Sequence, residues 1–170
     1  LSFTLYANNT DENVIVTRLL QSGTHRLCEN ALVSLQSSQT FQSTLGGHSY
    51  DALLYGISIG VDPDVFVYWD SSQTDPRSTG LNLSLYKSTA ADAALEAGRT
   101  RLDPALRTIK YRPFLQAWQQ DAPALGLYQP RLLYITHEPV YGLTEHTINT
   151  STDRFDNVQN WMIRTARVTN

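Results

Sequence analysis

Asp62 and Asp64, two carboxylates separated by one residue, are the first side chains in this 170-residue chain whose types and spacing suggest acid and base work. They flank Pro63, and an aspartate followed by proline is also the ordinary start of a helix, with the acid capping free N–H groups and the ring fixed at the first helical position. The spacing favours capping over catalysis. Ser71 and Ser72 have no base near them in sequence, and no GxSxG, P-loop, GxGxxG or HExxH pattern occurs. His25, His48, His137 and His146 are scattered, and Cys28 is the only cysteine, so neither a disulfide nor a metal-ligand spacing is present. Cys28 reads as a small buried or half-buried side chain, with a reactive thiol as the lesser alternative. No catalytic residue, metal ligand or cofactor site is assigned.

A binding surface is easier to motivate. The apolar run Tyr50 to Ile57 leads into Ser58, Ile59 and Gly60 and then into Asp62-Pro63-Asp64. In open α/β sheets ligands gather beyond the carboxyl ends of strands. Gly56 and Gly60 would let a bound chain approach the backbone, and the main-chain groups of Ile57 to Gly60 could pair with an extended peptide. The same glycines could equally serve only a turn. Phe66, Tyr68 and Trp69 follow; helical spacing sends Phe66 and Trp69 toward a core, whereas Tyr68 faces elsewhere and either lines a cleft or stands without a role.

These residues need a scaffold, and the chain is long enough for one domain. Its 41% hydrophobic content is that of a globular protein. With 13 basic and 16 acidic residues scattered along it and a net charge of −3, it has no basic block suited to a phosphate backbone, so nucleic acid is not an expected partner. No apolar run approaches the ~20 residues that span a bilayer, and the opening LSFTLYANNT lacks the basic and apolar regions of a signal peptide.

Alternation predicts strands at Ser2 to Tyr6 and Ala31 to Gln36 and a buried strand at Tyr50 to Ile57. Between them lie a helix capped by Asp11, with Ile15, Val16, Leu19 and Leu20 on its stripe and an exit at Gly23, and a brief helix from Ser38 to Leu45. This βαβαβ order implies a mainly parallel sheet flanked by helices. Pro63 to Trp69 is expected as a short helix, Asp70 to Gly80 as a loop and Thr89 to Thr100 as a helix. Asp103-Pro104 starts a longer helix to about Gln120, with Leu106, Ile109, Leu115 and Trp118 inward and a kink at Pro113. Ala124 to Tyr128, Arg131 to Thr136 and Trp161 to Val168 have strand character.

The run YDALLYGISIGVDPDVFVYWDSSQ, residues 50 to 73, resembles the signature stretch of family 5 extracellular solute-binding proteins, the oligopeptide and dipeptide receptors of ABC importers. Gly80, Asn82 and Tyr86, then Asp92, Leu95, Arg99, Asp103 and Arg107, then Asp121-Ala122-Pro123 with Leu127-Tyr128, follow the family's order, and Leu27-Cys28-Glu29-Asn30 stands where a Leu-Gly-Val turn is common. The resemblance implies an α/β lobe of the periplasmic-binding-protein type over residues 1 to 141, with 142 to 170 as a return segment that would join a missing first lobe. It further implies a substrate-binding component of an ABC importer. That component would lie outside the cytoplasm, membrane-anchored in a longer parent, with a peptide or other small solute and the transporter's permease subunits as partners. Ile57, Ser58, Ile59, Gly60, Asp62 and Tyr68 are then the expected ligand-binding residues.

One departure bears on the solute. Many peptide receptors of the family carry an aspartate shortly after this turn for the peptide's α-amino group, whereas Gly56 to Val61 contains no acid and is one residue shorter. Longer or modified peptides, an oligosaccharide or a metal chelate are alternatives to a short free peptide. A sensor or enzyme domain that shares the fold, or a surface protein that binds without transport, are the alternatives of other classes.

Overall fold

The computed structural model describes the whole chain except residues 1, 26–29, 61, 76–79, 132, 145–147, 149 and 164–170. Cys28, Val61 and His146, the turn Leu27 to Glu29, and the end of the Trp161 to Val168 segment lie outside the described residues. The chain divides into two compact units, one of Leu1–Ile57 with Asp64–Ala124 and the other of Ser58–Pro63 with Leu125–Asn170.

The first unit is built on strand β1, Ser2–Asn8, whose alternate residues Leu5 and Ala7 are buried. Helix α1, Asp11–His25, leads to strand β2, Asn30–Gln36; helix α2, Ser38–Gly46, leads to strand β3, Ala52–Leu53. The strands form a parallel sheet in the order β2-β1-β3, in register from Ser2 against Asn30 to Asn8 against Gln36. On the other side Leu5 pairs with Ala52 and Tyr6 with Leu53. The expected βαβαβ architecture is therefore present as an α/β unit. Main-chain pairing in β3 is short because the Asp51 carboxylate, not a backbone carbonyl, accepts from the Thr4 N–H at 2.8 Å. Beyond Leu53 pairing continues only through Leu54 N–H to the Tyr6 carbonyl, so the strand expected over Tyr50 to Ile57 is much reduced.

Helix α1 is capped by Thr10, whose hydroxyl accepts from Asn13 N–H, and Asp11 is its first residue, favourable there toward the helix dipole. It continues through Gly23 to His25. Its buried contact is Thr17, with the hydroxyl donating to the Asn13 carbonyl at 2.7 Å, whereas Ile15 and Leu19 are exposed, contrary to the aliphatic stripe. The Gln21 carboxamide donates to the Ala31 carbonyl of β2 at 2.7 Å. Ser37 caps α2, which buries Phe41 and Leu45.

The remainder of the first unit packs on two helices. Helix α3, Phe66–Trp69, is a single turn; α4, Thr89–Arg99, is capped by Ser88; α5, Pro104–Asp121, is capped by Asp103, whose carboxylate accepts from Leu106 N–H at 2.8 Å. The face of α4 turned to α5 is small, with Ala91, Ala94 and Gly98 beside Leu95, and a methyl group on Gly98 would lie 2.7 Å from the Tyr111 ring. The α5 stripe that fills this space is Tyr111, Phe114, Ala117 and Trp118. Leu106, Ile109 and Leu115, expected inward, are 52%, 56% and 59% exposed against 4% for Phe114. Rings at positions 111, 114 and 118 share one helical face and match the small facing side chains in volume; the aliphatic residues lie off that face. The helix runs unbroken through Pro113.

The segment between α3 and α4 is held by Asn82, which is 1% exposed. Its amide nitrogen donates to the carbonyls of Asp70 and Tyr86, each at 2.9 Å, and its oxygen accepts from Tyr86 N–H and the Ser84 hydroxyl. Four bonds leave this carboxamide fully satisfied. The Tyr50 hydroxyl donates to the Leu83 carbonyl at 2.7 Å and so ties the sheet side of the unit to this segment.

In the second unit a two-stranded antiparallel ribbon pairs β4, Val140–Tyr141, with β5, Met162–Ile163. Gly142 has a φ of +83° and a side chain there would strike the Asn160 carbonyl, so only glycine fits. Trp161 is half-buried between Tyr134 and Phe155, with ring centroids 5.8 and 5.9 Å away, and its indole N–H donates to Asn157 Oδ1 at 2.7 Å. Among the described residues, Ala124 to Tyr128 and Arg131 to Thr136 contain no strand; Leu125, Leu133 and Ile135 are 81%, 82% and 89% exposed. Alternation makes a segment able to pair but supplies no partner strand.

Two outcomes follow for the first unit. Truncating Asn82 to alanine strands the backbone groups of Asp70 and Tyr86 and should lower unfolding free energy by about 2–4 kcal/mol. Phe114→Ala should cost about 3–5 kcal/mol and Ile109→Ala less than about 1, as read by urea denaturation. A third outcome concerns pH. Burial, with further contributions from Asp121, which accepts from the Tyr86 hydroxyl at 2.7 Å, and against the lowering effect of Ser88, raises the Tyr86 phenol above its usual 10.0. A raised acid contributes stability that is intact below pH 10.0 and lost as pH rises through the folded-state value. The difference in stability between wild type and Tyr86→Phe should be constant from pH 7 to 9 and shrink above 10.

Candidate functional site

The six residues singled out by sequence fall into both units. Ile57 and Tyr68 belong to the first, and Ser58, Ile59, Gly60 and Asp62 to the second. After Leu54 the chain has no regular secondary structure as far as Gly60, and Tyr55 to Gly60 are all exposed. Ile57 and Ile59 are 45% and 42% exposed, so part of each aliphatic side chain is open to solvent. A Cβ built on Gly56 or Gly60 would meet nothing within 4 Å, so neither glycine is required by crowding in the fold. Their freedom instead leaves the main chain open on the side where a side chain would stand.

Downstream, Asp64 helps to organise the helical turn. One Asp64 oxygen accepts from Phe66 N–H at 3.0 Å and the other meets the Arg99 guanidinium at 3.1 Å. The helix expected from Pro63 accordingly begins at Phe66, because the Asp64 side chain spans the turn before it. Arg99 also lies over the Phe66 ring, 4.2 Å from its centroid. Phe66 and Trp69 pack on the α4–α5 core as the helical spacing predicts, with Trp69 edge-on to Trp118 at 5.4 Å. Tyr68 is half-buried on another side of the same turn.

Asp64, with both oxygens engaged by donors, is committed to structure and offers no free base. Ser71 donates to Asp92 at 2.6 Å and Ser72 to Asp70 at 2.5 Å; these hydroxyls close the turn after α3, and neither is paired with an imidazole. The only histidine bonded in a pair with another side chain among those described is His48, whose Nδ1 is 3.1 Å from the Tyr50 hydroxyl. Among the described residues no group of three His, Cys, Asp or Glu side chains could hold a metal ion, and no helix is long and apolar enough to cross a membrane. Sequence reasoning named Arg99 and Asn82 only as part of the family's pattern and gave neither a role of its own. The signals were a basic residue in the last turn of a helix and an Asn in a segment otherwise poor in buried polar groups.

No family model matches the chain, and no curated protein matches it either. Solved structures do. The oligopeptide-binding protein AppA from Bacillus subtilis, determined with a nonapeptide, superposes on 96% of the chain with a TM-score of 0.72 and 20% identity, over 32% of its own length. NikZ from Campylobacter jejuni, bound to Ni(L-His), matches 72% of the chain with a TM-score of 0.65 and 25% identity, over 25% of its own length. DppA from Helicobacter pylori, an ABC transporter-associated periplasmic binding protein in complex with the peptide STSA, matches 72% with a TM-score of 0.60 and 18% identity, over 24% of its length. These are family 5 solute-binding proteins, the family that residues 50 to 73 resemble, and they are binding proteins rather than enzymes. The chain has the fold of a periplasmic-binding-protein-like lobe and spans about a quarter to a third of the length of these proteins.

Proposed function

We propose that this chain is the second lobe of a solute-binding protein that captures peptides or a related solute for an ABC importer, and that Ile57, Ser58, Ile59, Gly60, Asp62 and Tyr68 contact the solute. The observation that carries the reading is the superposition of nearly the whole chain on the nonapeptide-bound AppA. Physical features of the segment support it. Residues 55 to 60 have an exposed main chain outside the short β3 ladder, two aliphatic side chains in solvent, and open space at both glycines. An extended ligand can bond to such a main chain as an added strand does. Residues 1 to 141 form the lobe in this reading and 142 to 170 the segment returning to a first lobe, with the protein outside the cytoplasm, anchored to the membrane and docking on permease subunits.

The nonapeptide held by AppA, which superposes on 96% of the chain, favours a peptide; NikZ, over 72% of the chain, is bound to Ni(L-His), which keeps a metal chelate as the alternative. Because Gly56 to Gly60 lacks an acid to receive a free α-amino group, the preferred peptides are those recognised along their main chain and independent of a free N-terminus.

The test is a nuclear magnetic resonance titration of the isotope-labelled chain with a nonapeptide and, separately, with its N-acetylated form. Amide shifts should move within residues 57–62 and at Tyr68, weakly, with acetylation changing affinity less than about threefold; a lobe alone lacks the water exclusion of a closed two-lobed receptor. Gly60→Trp should weaken that binding about tenfold or more while leaving the circular dichroism spectrum unchanged, since a Cβ at Gly60 would meet nothing within 4 Å. Shifts confined to other surfaces, or unchanged affinity in the folded variant, would remove the segment from the site.

A further inference from the structure

We propose that the solvent face of α5, an apolar stripe of Leu106, Ile109 and Pro113 edged by Lys110 and Arg112, is a docking surface for an anionic lipid bilayer. The proposal concerns the first unit alone and does not depend on which residues contact a solute. Helix α5 is apolar on two sides. One side carries Tyr111, Phe114 and Trp118 into the α4–α5 core. At about 100° per residue Ile109 stands on the opposite side of the helix from Trp118, with Leu106 three positions before it and Pro113 four after it on the same face. All three are exposed, and Leu102, just ahead of the Asp103 cap, is 99% exposed. Apolar side chains scattered singly over a surface are ordinary, but a row of them along one helix face is the pattern of a surface that is covered in use.

Charge decides what covers it. Lys110 and Arg112 lie on opposite edges of the stripe, both exposed, and neither forms an ion pair among the described residues. Arg107 is turned the other way, with its guanidinium 5.4 Å from the centroid of the Tyr111 ring and a bond of 3.4 Å to the Tyr111 hydroxyl. From Arg101 to Arg112 the chain holds four basic residues and one acid, a local charge of +3 (4 − 1), in a protein whose net charge is −3. That acid, Asp103, is occupied as the cap of α5. Face-to-face pairing with a second copy is disfavoured, because two such faces repel each other. An apolar centre with cations on both edges is the arrangement by which a helix lies in the headgroup layer of an anionic membrane, its apolar side chains entering the acyl boundary and its cations meeting phosphates. Pro113 supplies a second reason. It has no N–H for the Ile109 carbonyl, so an acceptor at this face lacks its helical donor. The hydrated headgroup layer provides one, whereas a dry protein interface would leave the carbonyl unpaired.

The contact is a few side chains deep, so association should be weak and reversible. The experiment is cosedimentation of the chain with vesicles of phosphatidylcholine alone and of phosphatidylcholine mixed with phosphatidylglycerol, at low and at high salt. The chain should bind the mixed vesicles, ignore the neutral ones, and be released by salt, because exposed charges are screened. Lys110→Gln and Arg112→Gln should each weaken partitioning about fivefold. Leu106→Ser and Ile109→Ser should each weaken it by about the same factor. Leu115→Ser removes an equally exposed leucine that lies off the stripe, and its partitioning should stay within about twofold of wild type. All five positions are exposed, so the circular dichroism spectra should match that of wild type.

Equal binding to neutral vesicles, or a loss with Leu115→Ser as large as that with Ile109→Ser, would overturn the proposal. Failure to bind any vesicle would overturn it too, and retention on immobilised poly-glutamate in that case would assign the face to an acidic protein instead. Self-association that Ile109→Ser abolishes, with no vesicle binding, would assign it to a second copy. If a serine variant fails to fold, the two glutamine variants and the comparison of neutral with anionic vesicles decide the matter on the same criteria.

Discussion

The close approach of α4 to α5 at Gly98 is the constraint on which the first unit depends. With no side chain at this position the Tyr111 ring lies directly on the α4 backbone, and Ala91 and Ala94 extend the same shallow face along the helix. Large rings on one helix therefore fill space left by small residues on the other, which gives dense packing with few side chains. Several other contacts of the first unit are attached to this pair. Trp69 leans on Trp118, Arg99 projects from the end of α4, and Tyr86 reaches Asp121 at the end of α5.

A second level of order is polar. Asn82 collects two carbonyls, one N–H and one hydroxyl within a segment that has little regular structure. A buried carboxamide that is fully bonded defines a single backbone path, because any displaced conformation leaves several groups without partners in a poor solvent for them. Asp64 plays a similar part nearer the surface, with one oxygen for the backbone and one for a cation. The irregular connections around the candidate site are thus specified by side chains, whereas β1, β2 and the long helices are specified by main-chain pairing and hydrophobic period.

That division explains what could be read from the sequence. The strands at Ser2 and Ala31 and the helix starts at Ser38 and Asp103 were legible because alternation and caps are local signals. The buried face of α5 was not, since hydropathy selected Leu106, Ile109 and Leu115, while the partner surface of α4 selected rings by volume. Likewise the bond from Phe66 N–H to the Asp64 carboxylate was not legible as such, and the other Asp64 oxygen meets Arg99, a residue distant in sequence. The exposed segment Ile57 to Gly60 was visible as a run ending in glycine and acid, but the Asp64–Arg99 pair was not, because nothing local marks a contact 35 positions away (99 − 64).

The bond from the Gln21 carboxamide to the Ala31 carbonyl has a wider consequence. Strand β2 is outermost in its sheet among the described residues, and Leu32 on it is half in solvent, a combination that invites strand-by-strand addition between molecules. A helix side chain that already occupies one of its carbonyls obstructs such stacking. Docking of α1 thus withdraws one carbonyl of β2 from pairing with any further strand.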